Sequence, residues 1–245
     1  MAMAITPAET VRMTSMKPLS EIFQWSPFDE YHVRMVIPEL VGGVPKHKDL
    51  LKGWINATNK EKSDEDRQKL IEASITELPD LSSEKEDKSW VGFKQDDKGL
   101  YIEGRQVKAM LKESANIVKK EVPVPKNIEK SGKGIAALKS KVADHVFVVE
   151  DKIYLGREKP DLQEERPIHV MTAQGPRTSV KRSDIVKDVT IDFTVRRFCD
   201  TAVPEVSLFA ILDYCRNLGL GADRSQGKGK VAEIFIEKMP KPEAK

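Results

Sequence analysis

The chain has 245 residues and 41 Lys+Arg against 39 Asp+Glu, a formal net charge of +2, so no bulk excess of either sign marks its partners, and the sign of a single surface matters more than the sum. With 39% hydrophobic and 33% charged residues, the composition argues against global disorder and against a membrane-embedded chain, and the length suffices for one large domain or two small ones. No 18-residue apolar stretch occurs, nor a signal-like run within residues 1–20, so a cytoplasmic protein with no membrane partner is expected. The two cysteines, Cys199 and Cys215, are more simply read as buried thiols in a reducing compartment than as a disulfide.

Residues 1 to about 27 show little periodicity, with Phe23, Trp25 and Phe28 as the side chains able to anchor them. Between residues 31 and 37, Tyr31, Val33, Met35 and Ile37 alternate with His32, Arg34 and Val36, the period of a half-buried strand, and Pro38 is expected to close it. A turn at Gly42-Gly43-Val44-Pro45 leads into the basic cluster Lys46-His47-Lys48. Residues 49–75 predict two helices, or a helix with a loop, from Leu50, Leu51, Trp54 and Ile55 and then Leu70, Ile71 and Ile75. A polar connector at 79–88 precedes a short hairpin over 90–101, turning at Asp96-Asp97-Lys98-Gly99.

Val107, Met110, Leu111 and Val118 predict a helix over 105–118, ended by Pro123 and Pro125. A basic, glycine-broken stretch follows at 126–141. Residues 142–149 read as a strand that 152–155 rejoins through a turn at Glu150-Asp151. A polar loop at 159–166, a short apolar strand at 168–171 and a cationic loop at 174–183 come next. Val189, Ile191, Phe193 and Val195 give the clearest strand, a helix spans 204–217 with proline in its first turn, and 231–238 is the closing strand. This β-α-β-β-α-β order predicts an α+β, ferredoxin-like (RRM-like) core with long insertions. The core is assigned to 28–38, 99–122 and 142–239, an inserted helical subdomain to 39–98 and an inserted basic loop to 123–141.

The densest signal lies at residues 218–230, Leu-Gly-Leu-Gly-Ala-Asp-Arg-Ser-Gln-Gly-Lys-Gly-Lys. Glycine at this density serves positive φ or close approach to the main chain, and the interleaved cations suggest an anion with a long repeating backbone. Spacing argues against a mononucleotide site: five residues separate Gly221 from Gly227, and Lys228 precedes Gly229 where a P-loop needs Ser or Thr. A dinucleotide fingerprint lies between a strand and a helix start, whereas this loop follows a helix and precedes a strand. The plainer alternative is a helix C-cap at Gly219 followed by a wide, solvated turn.

The sequence Gly-Leu-Gly-Ala-Asp-Arg-Ser-Gln-Gly-Lys-Gly-Lys-Val resembles the C-terminal glycine-rich loop of the repeat-associated mysterious protein (RAMP) superfamily of CRISPR complexes. Gly219, Gly221, Arg224, Ser225, Gly227 and Gly229 match, while Lys228 stands where that family often has an aromatic. Residues 101–112 resemble the family's entry into its first helix, and 177–182 the basic loop of its Cas7-like backbone branch. The resemblance implies a ferredoxin-like fold and a backbone subunit that holds single-stranded guide RNA and assembles with copies of itself and other complex subunits. It implies no cofactor. The cations that would meet phosphates in such a groove are Arg105, Lys108, Arg177, Lys181, Arg182, Arg224, Lys228 and Lys230, with Gly104 and the loop glycines admitting the strand.

For catalysis, none of His32, His47, His145 and His169 lies at metal-ligand spacing, and no metal is expected. His47 is a candidate general base for RNA cleavage and Asp49 a candidate acidic residue, whereas His145 and His169 read as structural residues of apolar strands. Three readings therefore compete: an RNA-binding backbone subunit without catalysis, which is preferred; a metal-independent endoribonuclease processing precursor guide RNA; and an assembly protein with no nucleic-acid ligand.

Overall fold

A computed structural model of the chain describes residues 27–76, 90–125, 134–172 and 175–240. Its elements are β1 (Phe28–Val41), β2 (Val44–Pro45), α1 (Lys48–Thr58), α2 (Asp64–Thr76), β3 (Val91–Gly92), β4 (Lys94–Asp96), β5 (Gly99–Glu103), α3 (Gly104–Val118), α4 (Leu138–His145), β6 (Val146–Val148), β7 (Lys152–Tyr154), β8 (Leu162–Thr172), β9 (Gly175–Phe198), α5 (Glu205–Leu218) and β10 (Glu233–Lys238).

Alternation along β1 and the second half of β9 leaves one apolar sheet face to be covered, and the two most amphipathic helices of the core cover it. Tyr31, Val33, Met35 and Ile37 of β1 and Val189, Ile191, Phe193 and Val195 of β9 are all buried. They form one cluster with Val107, Met110, Leu111 and Ala115 of α3 and Leu208, Ile211, Leu212 and Cys215 of α5. Each large aliphatic side chain so buried contributes roughly 1.5–3 kcal/mol. The helices are also pinned to each other by the buried Ser114 hydroxyl, which donates to the Ile211 carbonyl at 2.7 Å.

Antiparallel pairing gives the order β10-β1-β9-β6. With α3 in the chain between β1 and β6, and α5 between β9 and β10, this is the predicted ferredoxin-like β-α-β-β-α-β core. No helix among the described residues is long and apolar enough to cross a membrane.

The local expectations fail where pairing overrides pattern. Pro38 does not end β1: the ladder runs on to Val41↔Ile185, missing only the Pro38/Asp188 pair, where proline has no N–H to donate and Asp188 adopts φ 48°. Residues 142–145 belong to α4 rather than to a strand, because Leu138 and Val142, one helical turn apart, are both fully buried in the core. His145 therefore ends a helix, where its Nδ1 meets Asp200 at 2.7 Å. β7 does not return beside β6: β6 adds to β9, while β7 adds to β5 in a separate three-stranded sheet, β4-β5-β7. Cys199 is exposed, whereas Cys215 is a buried free thiol that burial pushes up to about 12.

The largest departure is at residues 159–183, expected as loops around one short strand. Here β8 and the first half of β9 form a long antiparallel arm, in register from Leu162↔Ile185 to Thr172↔Gly175. His169 lies exposed on this arm, 3.4 Å from the Thr178 hydroxyl, rather than in an apolar strand. The arm is rooted by Asp184, which accepts from Trp90 Nε1 at 2.8 Å and Gln163 Nε2 at 3.1 Å and lies 3.4 Å from Lys46 Nζ. Lys46 and His47 of the basic cluster are both buried.

Candidate nucleic-acid interface

The glycine-rich segment starts where α5 stops: Gly219 takes φ 73° and its N–H donates to the Cys215 carbonyl at 3.2 Å. The chain then folds back on itself and onto the end of β1. The Leu220 N–H donates to the Gly229 carbonyl at 2.8 Å, Ala222 N–H to Val41 at 3.0 Å and Gly229 N–H to Glu39 at 3.0 Å. A Cβ on Gly229 would lie 1.8 Å from the Leu220 carbonyl oxygen, and one on Gly221 2.3 Å from that of Val41. The close approach at these positions is therefore made by the protein's own backbone. Gly227 differs: at φ 84° a Cβ there would meet only the Lys230 side chain, at 3.9 Å. External approach to the main chain is open at Gly227, next to the exposed Ser225 and Lys230.

Two of the three cations of the loop, Arg224 and Lys228, are already engaged. Arg224 donates to Glu113 of α3 at 2.7 Å. Lys228 donates to Glu39 of β1 at 2.6 Å and to Glu164 of β8 at 3.1 Å, and the hydrogen bond to Glu39 is the main reason its ammonium is held above its ordinary range. Within the loop, Asp223 receives Lys181 of β9 at 2.5 Å and Arg166 of β8 at 3.0 Å. The loop is thus tied by charge to α3, to β1 and to the arm.

The other predicted residues scatter in role. Lys181 joins the loop through Asp223, while Arg182 pairs with Glu165 at 2.8 Å and lies over the Trp90 ring at 5.3 Å. Arg177 pairs with Val170 in the backbone register of the arm. Gly104 opens α3 where a Cβ would lie 2.0 Å from the Glu150 carbonyl oxygen, a packing requirement internal to the fold. Arg105 is exposed and paired with Glu103 at 2.5 Å. Lys108 is turned inward, donating to the carbonyls of Val142 at 2.8 Å and Ala143 at 3.0 Å, with burial lowering its ammonium to about 8. His47 is buried and caps α1, its Nδ1 accepting from the Asp49 N–H at 3.3 Å. That geometry serves a helix start and does not present an acceptor to a ribose hydroxyl. Asp49 is exposed in the first turn of the same helix.

Between α3 and the loop runs an open cleft of about 290 Å³, lined by Gly43, Gln106, Met110, Glu113, Gly221 and Arg224 among others. Glu39, Glu113, Glu164, Arg166 and Asp223 are the residues tied to the loop's charges that the sequence left without a role. Glu113 and Arg224 are 111 positions apart, and no local pattern signals such a pair.

The open face of the sheet offers a different chemistry. By register, Glu30, Asp192, Glu233 and Glu237 share it with His32, Arg34, Arg196, Phe28, Phe147 and Phe235. Both guanidinium groups are paired there, Arg34 with Asp192 at 2.8 Å and Arg196 with Glu30 at 2.7 Å.

No family model matches the chain, and no curated protein matches it. Among solved structures, the chain is similar to a chain of the type III-B Cmr-beta complex bound to cognate target RNA, with 15% identity over 95% of this chain and 68% of that one and a TM-score of 0.41. It is also similar to Cmr6 from Pyrococcus furiosus, with 13% identity over 86% of this chain and 99% of that one and a TM-score of 0.39.

Proposed function

We propose that this protein is an RNA-binding backbone subunit of a CRISPR-type complex, holding single-stranded guide RNA along the glycine-rich loop and the root of the β8–β9 arm. The observation that carries the proposal is the placement of Arg224, Lys228 and Lys230 around Gly227. Gly227 is the point of the loop where a phosphodiester strand can reach the main chain without meeting the protein's own backbone. Lys181 and Arg182 extend the same charge along the arm. The motif resemblance at 218–230, on a ferredoxin-like core, supports RNA as the polyanion and assembly with copies of itself and other subunits as its setting.

Binding of a 5′-fluorescein-labelled oligouridylate, followed by anisotropy across a salt titration, tests the reading. Wild type is expected to bind with a steep salt dependence, and Arg224→Ala/Lys228→Ala to lower the logarithmic slope by about 1.4, at roughly 0.7 per phosphate contact on a single strand. Weak, salt-independent binding by both proteins would remove RNA from the reading and return the loop to a structural or protein-contact role.

A further inference from the structure

We infer that Glu39, Glu113 and Glu164 are built-in competitors of phosphate that set the selectivity of the glycine-rich loop, holding Arg224 and Lys228 in the free protein and yielding them only to a multidentate polyanion. The inference rests on the RNA-binding reading above and adds the residues that decide which anions gain entry.

The geometry is that of an exchangeable latch. Arg224 and Glu113 are 38% and 46% exposed, and Lys228 and its two glutamates 26%, 33% and 41%. Water therefore reaches all five side chains, and phosphate can replace carboxylate without burying an uncompensated charge. Asp223, at 14% exposure between Lys181 and Arg166, is the fixed member that keeps arm and loop together. Around the loop, the five cations Arg166, Lys181, Arg224, Lys228 and Lys230 face the four carboxylates Glu39, Glu113, Glu164 and Asp223, a local net charge of +1. Displacing the three exchangeable glutamates raises that to +4. An isolated phosphate gains one contact and must break one or two, so it has little advantage. A strand engaging Arg224, Lys228 and Lys230 together also releases counterions at each contact. The glutamates lie on α3, β1 and β8, so displacement also loosens the charge ties between the loop and those elements, leaving Asp223 as the link to the arm.

The test uses the full chain and the labelled oligouridylate, with Glu113→Gln alone and Glu39→Gln/Glu164→Gln together. Each is expected to tighten RNA binding roughly two- to five-fold, the inverse of a surface ion pair's strength, and to steepen the salt slope by up to about 0.7 per cation released. Adding Lys228→Ala to Glu39→Gln/Glu164→Gln should abolish that pair's gain, which a general change in protein charge would not explain. If wild type binds with the expected salt dependence while the glutamine variants bind equally or more weakly, the glutamates position the cations rather than compete for them, and the inference fails alone. If neither wild type nor variants bind, the RNA reading falls with it.

Discussion

The two ends of β1 carry ion-pair clusters built from the same residue types and used in opposite ways. At its start, Asp29 and Arg197 form a pair with both side chains 8% exposed, and Arg197 also donates to the Val203 carbonyl at 3.1 Å. Beside them Tyr31 donates to Glu205 at 2.7 Å, and Lys238 reaches Glu205 at 2.9 Å. At its far end, Glu39 meets Lys228 in partial solvent. Desolvation makes the Asp29–Arg197 pair at the heart of the first cluster costly to open, so it fixes β1 to β9 and to the turn before α5, while Lys238 and Glu205 form its exposed edge. Solvation makes the second inexpensive to exchange, which suits a surface that receives charge from outside. Charge pairing by itself therefore distinguishes neither role; burial does.

The sharpest way to break this contrast is Arg197→Ala, which takes away the guanidinium paired with the buried Asp29. A loss of about 3–5 kcal/mol is expected in chemical denaturation, against under ~1 kcal/mol for Lys228→Ala. Next comes Gly229→Ala, which meets left-handed strain and the Leu220 carbonyl together. It should lower stability by about 2–4 kcal/mol, whereas Gly227→Ala, with open space around it, should cost only about 1 kcal/mol and act mainly on RNA affinity.

The smallest effect is in pH. The Tyr31 hydroxyl, and then Lys238, hold the Glu205 carboxyl below its ordinary 4.5. A depressed carboxylate contributes stability that is complete above 4.5 and drains away as pH falls through its lower folded value. Glu205→Gln should therefore flatten part of the acid limb of the stability curve, lowering stability at pH 7 and changing it little once pH has fallen below the carboxyl's folded value. An unchanged acid limb would show that this exposed end of the cluster contributes nothing through titration.

Much of the core was legible because its residues alternate or recur against a single covered face. Tyr31 to Ile37, Val189 to Val195, Val107 to Ala115 and Leu208 to Cys215 each display the period of the element they form. The arm was illegible for the converse reason. In its outer part β8 and β9 pair only with each other among the described residues, so much of both faces is polar and no alternation is written into residues 162–183. Residues 142–149 misled because β-branched valines at 142, 146, 148 and 149 fit a strand as readily as a helix end. The choice there was made by the burial of Leu138 and Val142.

The candidate site was half legible. Glycines and cations in one short segment announced a special backbone near charge, and the structure places four of those glycines at positive φ. Their use is divided by contacts absent from local sequence: Gly221 and Gly229 serve the loop's packing, while Gly227 faces open space. Lys108, indistinguishable from its neighbours by composition, is turned onto two carbonyls.

By itself the sequence determined the order of the core elements and the site of the irregular loop, because hydrophobic period and glycine content act over a few residues at a time. Only the tertiary structure decided which charges are locked and which are exchangeable. That depends on partners 111 or 189 positions away and on how much water reaches each pair, and solvent access is a property of the folded surface rather than of any stretch of chain.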